Sequence, residues 1–576
     1  MASIYCRAAV LLVHLASGLP GCTLRDVELF PDSEVAQGGT GPSSSSGAPN
    51  ATAGERCEAV VPAGMLAARP PMGWNGWTTF ECAVDLDEGK VRKMADALVD
   101  SGMQTAGYTY VNLDRCWGDQ RNEAGDLVLD SARLPNGITA LASELHERGF
   151  KLGFHRYSSA CSNLSSGREA ADAKTYAAWG IDFLKLVSCT SSSAPDTHGA
   201  TAMAAALRDS GRSMVLSLAM PPHQEWMPDI AHMSRTGPPI AGNWTSILSQ
   251  LDATAPLAAY VRPGAFNDPD LLVAGVGGLS EAEQRAHFSL WSILSAPLLA
   301  SNDLTAMPEA TRRILTHPDL IAINQDPLGL QGALIRREGD LEVYAKPVAE
   351  CGARAVVLLN RGDSELSTTL TWEELWLSPG SARVRDLWAQ EDLPSDGRTV
   401  QLAVEAHDVR VLKITGVEPP VAGAGGEIRL GDASFTYETN GYGPVERNAT
   451  VGEQPEGDGQ RMRMRGRAFA DGLGVHPPSL LLFRLAGRCT RFTAQVGIDD
   501  ESLGQGSAVF QVWSDGEKLF DSGIVTGETP PRQVDVLLHD RMDLRLFVGT
   551  TGDGFAHDHS DWAEARLYCD EQSTTR

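Results

Sequence analysis

The sequence predicts a multidomain chain built as a (β/α)8 barrel followed by an antiparallel β-sandwich, with a third part set off by a linker. Two observations carry this. From residues 69 to 328 one cadence repeats: an amphipathic helical stretch, a glycine, then a short apolar run, which is the pattern of parallel strands joined by crossover helices. From 329 to 416 the cadence gives way to short period-two runs separated by turn signals, the pattern of an antiparallel sandwich. The third part, 428–570, follows a Pro-, Ala- and Gly-rich linker at 417–427.

Taken in order, residues 1–24 carry Arg7, an apolar run from Ala8 to Leu19 broken mainly by His14, and small residues up to Pro20. That run is too short to span a bilayer and suits a cleaved signal peptide. A secreted, extracellular or endomembrane-lumen location is therefore expected, and the sequons at Asn50, Asn163, Asn243 and Asn448 are compatible with it. No later stretch is long and apolar enough for a membrane span. Residues 25–68 include Ser43 to Ser46 among many Gly, Ala and Pro residues, a composition that buries little apolar surface, and are expected to form a flexible spacer.

Within the barrel segment, Val91, Met94, Ala95, Leu98 and Val99 fall on one helical face, Gly102 ends it, and Tyr108 to Leu113 reads as a strand. The same unit recurs before Lys151 to Phe154, Ile181 to Val187 and Met214 to Leu218. With Met72 to Trp77 at one end and Pro297 to Ala300 at the other, about eight strands fit the segment, which is the size of a (β/α)8 barrel with its chemistry at the C-terminal strand ends. In the sandwich, Leu341 to Tyr344, Ala355 to Leu359, Ser367 to Leu370, Ala382 to Asp386, Thr399 to Val404 and Val409 to Ile414 read as strands. Arg361-Gly-Asp363 reads as ordinary turn chemistry.

Of 576 residues, 74 are Asp or Glu and 48 are Lys or Arg, giving a net charge of −26. A field of that sign repels polyanions and argues against nucleic-acid or anionic-membrane partners.

Five segments, Met72-Gly-Trp-Asn-Gly-Trp77, Asn112-Leu-Asp-Arg-Cys-Trp117, Ala178-Trp-Gly-Ile-Asp-Phe-Leu-Lys185, Asn267-Asp-Pro-Asp-Leu-Leu272 and Ala322-Ile-Asn-Gln-Asp326, together resemble the α-galactosidase family, glycoside hydrolase family 27. The resemblance implies a retaining hydrolase with two Asp residues flanking the glycosidic bond at about 5 to 5.5 Å. It implies the nucleophile at the end of the strand that here reads Lys185-Leu-Val-Ser-Cys189, so that position is Val187. It implies the acid/base four residues beyond Arg235, which is Pro239. Neither side chain attacks a sugar or moves a proton. The second Asp of the family's Asp-Asp-Cys-Trp is Arg115, and the family's Tyr-Ser-Asp reads His155-Arg156-Tyr157. The resemblance further implies disulfides Cys82 with Cys116 and Cys161 with Cys189, and leaves Trp77, Asp114, Lys185, Arg235 and Asp270 as sugar contacts.

The expected function is thus a secreted, hydrolytically impaired galactoside-binding pseudoenzyme. Its alternative is an active α-galactosidase or related retaining glycosidase using displaced carboxylates. Asp182, Glu225, Asp229, Asp268 and Asp270 are the candidates for displacement.

Past the linker, Asn440-Gly-Tyr-Gly-Pro-Val-Glu-Arg447, Gly472-Leu-Gly-Val-His-Pro477 and Asp558-His-Ser-Asp-Trp-Ala563 resemble the NPCBM module, a galactose-binding-like β-sandwich. Cys489 and Cys569 are read as one further bridge, and His476, Trp513 and Trp562 as either a sugar platform or core. No cofactor is expected in the barrel. In the module, Asp499, Asp500 and Asp558 either take calcium, which related sandwiches bind, or cap turns. The partners expected are galactosides or glycan chains, and a homodimer stays open.

Overall fold

The computed structural model describes residues 59–83, 85–118, 120–158, 167–188, 195–419, 425–452 and 455–570. The expected signal peptide, most of the expected spacer, part of the linker, and Cys161 and Cys189 lie outside the described residues.

Eight strands form one parallel sheet: β1 Met72–Asn75, β2 Tyr110–Leu113, β3 Lys151–Tyr157, β4 Phe183–Val187, β5 Val215–Ala219, β6 Met233–Arg235, β7 Phe266–Asp268 and β8 Leu298–Ala300. The order is β8-β1-β2-β3-β4-β5-β6-β7. A parallel bridge between Leu272, just past β7, and Ala300 in β8 brings the two ends together, so the sheet curls into the predicted (β/α)8 barrel. Helices α1 Glu88–Asp100, α2 Ile138–Glu147, α3 Glu169–Trp179, α4 Thr197–Arg208, α5 Trp244–Thr254 and α6 Glu281–Ile293 lie between successive strands. Only the short turn Met227–Ile230 separates β5 from β6.

The sequence accounts for these elements locally. In α1 the Asp87 side chain accepts from the Lys90 amide, and Val91, Met94, Ala95 and Leu98 are buried. Val99, expected on the same face, is 45% exposed, because the buried stripe is narrower than the apolar run. Gly180, which ends α3, sits at φ 82°, and Gly211, after α4, at φ 84°. These are left-handed conformations that a side chain resists, which is why the cadence places glycine there.

Arg121, beyond β2, makes a two-pronged bond to Asp172 of α3 at 2.9 and 2.7 Å, with side-chain exposures of 7% and 2%. Asp172→Ala removes both bonds of this buried ion pair and is expected to cost about 3–5 kcal/mol. A urea titration of the full chain measures this, and a loss under about 1 kcal/mol would contradict it.

The sandwich has a six-stranded sheet, running in order through Ala333–Glu338, Leu341–Pro347, Ala353–Asn360, Val409–Val417, Ser378–Asp386 and Glu391–Leu393. It faces the pair Leu366–Thr371 and Thr399–Val404, and a core of its own includes Val343, Leu358, Leu370, Trp372 and Leu412. All six predicted runs are strands. In the predicted turn the Arg361 guanidinium is held by Asp252 at 2.7 Å and Glu342 at 2.6 Å, and the Gly362 amide donates to Asn360 Oδ1.

The third part is a second sandwich, with larger sheets ordered around Ser560–Cys569 and around Asp543–Gly549. Trp562 is fully buried against Phe492 and Phe510. The Cys489–Cys569 bridge is formed.

The barrel, the first sandwich and the third part share one apolar cluster, with Ala259 and Leu328, Leu330 and Ala333, and Tyr437, Leu480 and Leu482 in contact. The end of the expected spacer is packed as well: Leu66 and Ala67 lie against the barrel core, and Ala59 against the shared cluster. The run 59–68 is itself largely apolar, unlike the Ser- and Gly-rich part before it, and packs accordingly.

Candidate functional site

The charged residues at the C-terminal strand ends form one network. At the end of β2, Asp114 Oδ2 accepts from Lys185 Nζ of β4 at 2.7 Å and from Asn75 Nδ2 of β1 at 2.9 Å. Asn75 also accepts from the Trp77 amide at 3.0 Å, so one amide side chain sets both the carboxylate and the aromatic ring. Asn75 is not among the site residues the sequence predicts, although it lies within the Met72 to Trp77 motif.

Burial opposes ionisation of Asp114. The Lys185 charge and the hydrogen bonds from Lys185 and Asn75 outweigh it and hold the carboxyl well below the usual range.

Arg235, at the end of β6, places Nη2 2.6 Å from Asp270 Oδ2. The other groups on Asp270 fix it in place. Its Oδ2 accepts from the Ile240 amide at 2.9 Å, its own amide donates to Asp268 Oδ1, and its carbonyl accepts from Trp291 Nε1. Its φ is 79°, a left-handed conformation that these bonds maintain. Asp268 is pushed up to about 6, first by burial and then by the Asp270 charge, against Arg235 and Lys185.

Lys185 and Val187 alternate on one face of β4, and Val187 pairs in register with Tyr157 and Ala219. Pro239 is exposed, on a rim segment tied down on either side. Gln250 Nε2 donates to the Pro238 carbonyl at 2.7 Å, and the Ile240 amide donates to Asp270.

Arg115 follows Asp114 and turns its guanidinium over the Trp77 ring at 4.7 Å and the Tyr157 ring at 5.4 Å. Beside it, His155 is 4% exposed and pushed down to about 4 by burial, with Lys185, Arg115 and Arg156 adding to the fall and Asp114 opposing it. Of the predicted contacts, Asp114 with Lys185 and Arg235 with Asp270 thus form paired charges, while Trp77 carries a cation on its face.

Three of the carboxylates named as candidates for displacement are bound to other groups. Asp182 binds His146, Arg212 and the Leu152 amide. Glu225 accepts from Thr550 and from the Gly552 amide of the third part, and Asp229 pairs with Arg262. In the third part, Asp499 accepts from the Arg463 and Glu501 amides, Asp500 from those of Arg465 and Gly466, and Asp558 from that of Ser507. Among the described residues no group of three or more His, Cys, Asp or Glu side chains is placed to hold a metal ion. The three aspartates cap backbone, and His476 and Trp562 are buried, while Trp513 carries Arg262 over its ring at 4.6 Å.

A closed parallel barrel with paired charges and an aromatic ring at its C-terminal strand ends has the layout of the (β/α)8 class, whose sites lie at that end. The chain matches the family described as Alpha galactosidase A over residues 69–326, the alpha galactosidase C-terminal beta sandwich domain over 338–414, and the NPCBM/NEW2 domain over 426–568. It is 39% identical over 362 residues to Alpha-galactosidase 2 of Arabidopsis thaliana, covering 61% of this chain and 90% of that protein. To Alpha-galactosidase A of Cellvibrio japonicus it is 39% identical, covering 61% and 93%. The structure of alpha-galactosidase I from Mortierella vinacea superposes with a TM-score of 0.57 at 30% identity, covering 62% of this chain and 99% of the other. The chain belongs to the α-galactosidase family, glycoside hydrolase family 27.

Proposed function

We propose that this chain is a secreted, galactoside-binding member of its family that has lost hydrolysis. The observation that carries this reading is the pair Val187 and Pro239, at the positions where the family pattern calls for nucleophile and acid/base, within a barrel whose surrounding pairs, Asp114–Lys185 and Arg235–Asp270, are kept. A retaining mechanism needs one carboxylate to attack the anomeric carbon and another to protonate the leaving oxygen. Valine and proline do neither, whereas ion-paired carboxylates and buried cations still offer donors and acceptors to sugar hydroxyls. Trp77, Asp114, Lys185, Arg235 and Asp270 are the proposed contacts.

Secretion is supported by the leader-like first 24 residues, and by the Cys82–Cys116 and Cys489–Cys569 bridges, which persist in oxidising compartments. Among the described residues no helix is long and apolar enough to cross a membrane. The test is an assay with an aryl α-galactoside across acid and neutral pH. The expected result is turnover indistinguishable from a mock purification. Turnover that disappears on Asp270→Ala would overturn the proposal in favour of displaced carboxylates.

A further inference from the structure

Among the described residues at the barrel mouth, Arg115 is a cation that no carboxylate faces. Asp114 is taken by Lys185 at 2.7 Å and Asp270 by Arg235 at 2.6 Å. Asp268, the third carboxylate, is fully buried in its own backbone contacts and pushed toward its neutral form. Arg115 is the cation left over: among the described residues no carboxylate pairs with its side chain, and its guanidinium lies on two aromatic rings. A cation–π contact holds the guanidinium through its charge and leaves N–H groups to donate, and a guanidinium fork matches two oxygens of a carboxylate or sulfate. Two rings beside the group also lower the entropy lost on binding. Close by, Arg235 Nε and His155 Nε2 are buried with no hydrogen-bond partner, and groups of that kind are satisfied by a ligand or water.

From this we propose that the barrel mouth takes an acidic saccharide, a pyranoside bearing a carboxylate or sulfate, with the anionic group on Arg115 and the hydroxyls on the flanking pairs. This rests on the sugar-binding reading above and narrows its ligand class. The net charge of −26 does not argue against it, because a local cation in a partly dry pocket outweighs distant charges screened by salt.

The test is calorimetric titration of the full chain with galactose, galacturonic acid, galactose 6-sulfate and inorganic sulfate, repeated on Arg115→Gln, Arg115→Lys and Trp77→Ala, with melting curves as the control for folding. The expected result is that at least one acidic sugar binds about tenfold or more tighter than galactose. Arg115→Gln should remove that preference while leaving weak galactose binding. Arg115→Lys, which keeps the charge without the fork, should retain part of it, and Trp77→Ala should weaken every sugar. Galactose binding as tightly as the acidic sugars would overturn this inference and leave the sugar-binding reading standing. Inorganic sulfate binding as tightly as galactose 6-sulfate would mean an anion site with no saccharide recognition, which also overturns it. Absence of binding by any sugar, or binding indifferent to Trp77→Ala, would remove the underlying reading itself.

Discussion

Val187→Asp alone should leave aryl α-galactoside turnover at the level of a blank, and Val187→Asp with Pro239→Asp should raise it little. The smallest set expected to show clear turnover adds Arg115→Asp. A carboxylate at 187 lies on the same face of β4 as Lys185, so it gains a cationic neighbour and stays ionised, as a nucleophile must. With position 239 still proline, no group protonates the leaving oxygen, and an acid/base of that kind is worth about 10²- to 10⁴-fold. Position 239 itself tolerates the change, because proline donates no amide hydrogen bond there and the residues on either side remain tied to Gln250 and Asp270. What still opposes catalysis is Arg115, a cation over the face of Trp77 at the position where the family pattern has an Asp. Measuring kcat with nitrophenyl and dinitrophenyl galactosides separates the roles, since the better leaving group needs less protonation. Turnover by the single Val187→Asp variant equal to that of the triple variant would refute the assignment of 239 and the blocking role of Arg115.

Acidification from pH 7 to about 4.5 should loosen the barrel and not the C-terminal module. His155, His223 and His232 are pushed down to about 4 and His287 to about 3, in each case first by burial. The bonding agrees: the Leu216 amide donates to His232 Nδ1 and the Val273 amide to His287 Nε2, each at 3.0 Å, which requires an unprotonated nitrogen. Unfolded histidines take up protons near pH 6.5, so between there and pH 4 the unfolded barrel binds more protons than the folded one, and stability falls as pH falls. At about 1.4 kcal/mol per unit, four such groups sum to several kcal/mol even after generous discounting.

Buried acids work in the opposite direction. A carboxyl raised to about 6 binds its proton in the folded state first, so folding gains as pH drops through that value. Asp268 and Asp326 are the barrel's raised acids. The C-terminal module holds Glu438, raised to about 7, Asp515 and Asp558, raised to about 6, and Asp561, raised further, all first by burial. Hydrogen exchange corrected for intrinsic rates should therefore show barrel peptides losing protection at pH 4.5 while peptides of 428–570 keep theirs. Loss of protection first in the module would contradict this assignment of charges.

The legible parts of the fold were those set by local chemistry. Glycine at Gly180 and Gly211 and the period-two runs of the sandwich are read within a few residues, and the structure follows them. What escaped depended on partners distant in sequence. Val99 belongs to an apolar face whose edge is set by what α1 packs against. Leu66 and Ala67 order the end of a segment whose composition argues for disorder. At the site, valine at 187 and proline at 239 were visible, because a residue's identity needs no geometry. The ring contacts of Arg115 and the double role of Asn75 were not, since each joins loops on different strands.

The contacts that the third part makes with the rest also fix its orientation. Tyr437 Oη donates to the Gln331 carbonyl at 2.7 Å, Arg545 Nη2 to the Leu328 carbonyl at 2.9 Å, and Arg262 lies on Trp513, beside the apolar cluster that all three parts share. A module held this way does not sweep out a volume as a tethered one does, so its gain in avidity is not tuned by linker length. Under the proposed sugar-binding function, a glycan reaching both the module and the barrel mouth would have to match one fixed spacing, as against a ruler.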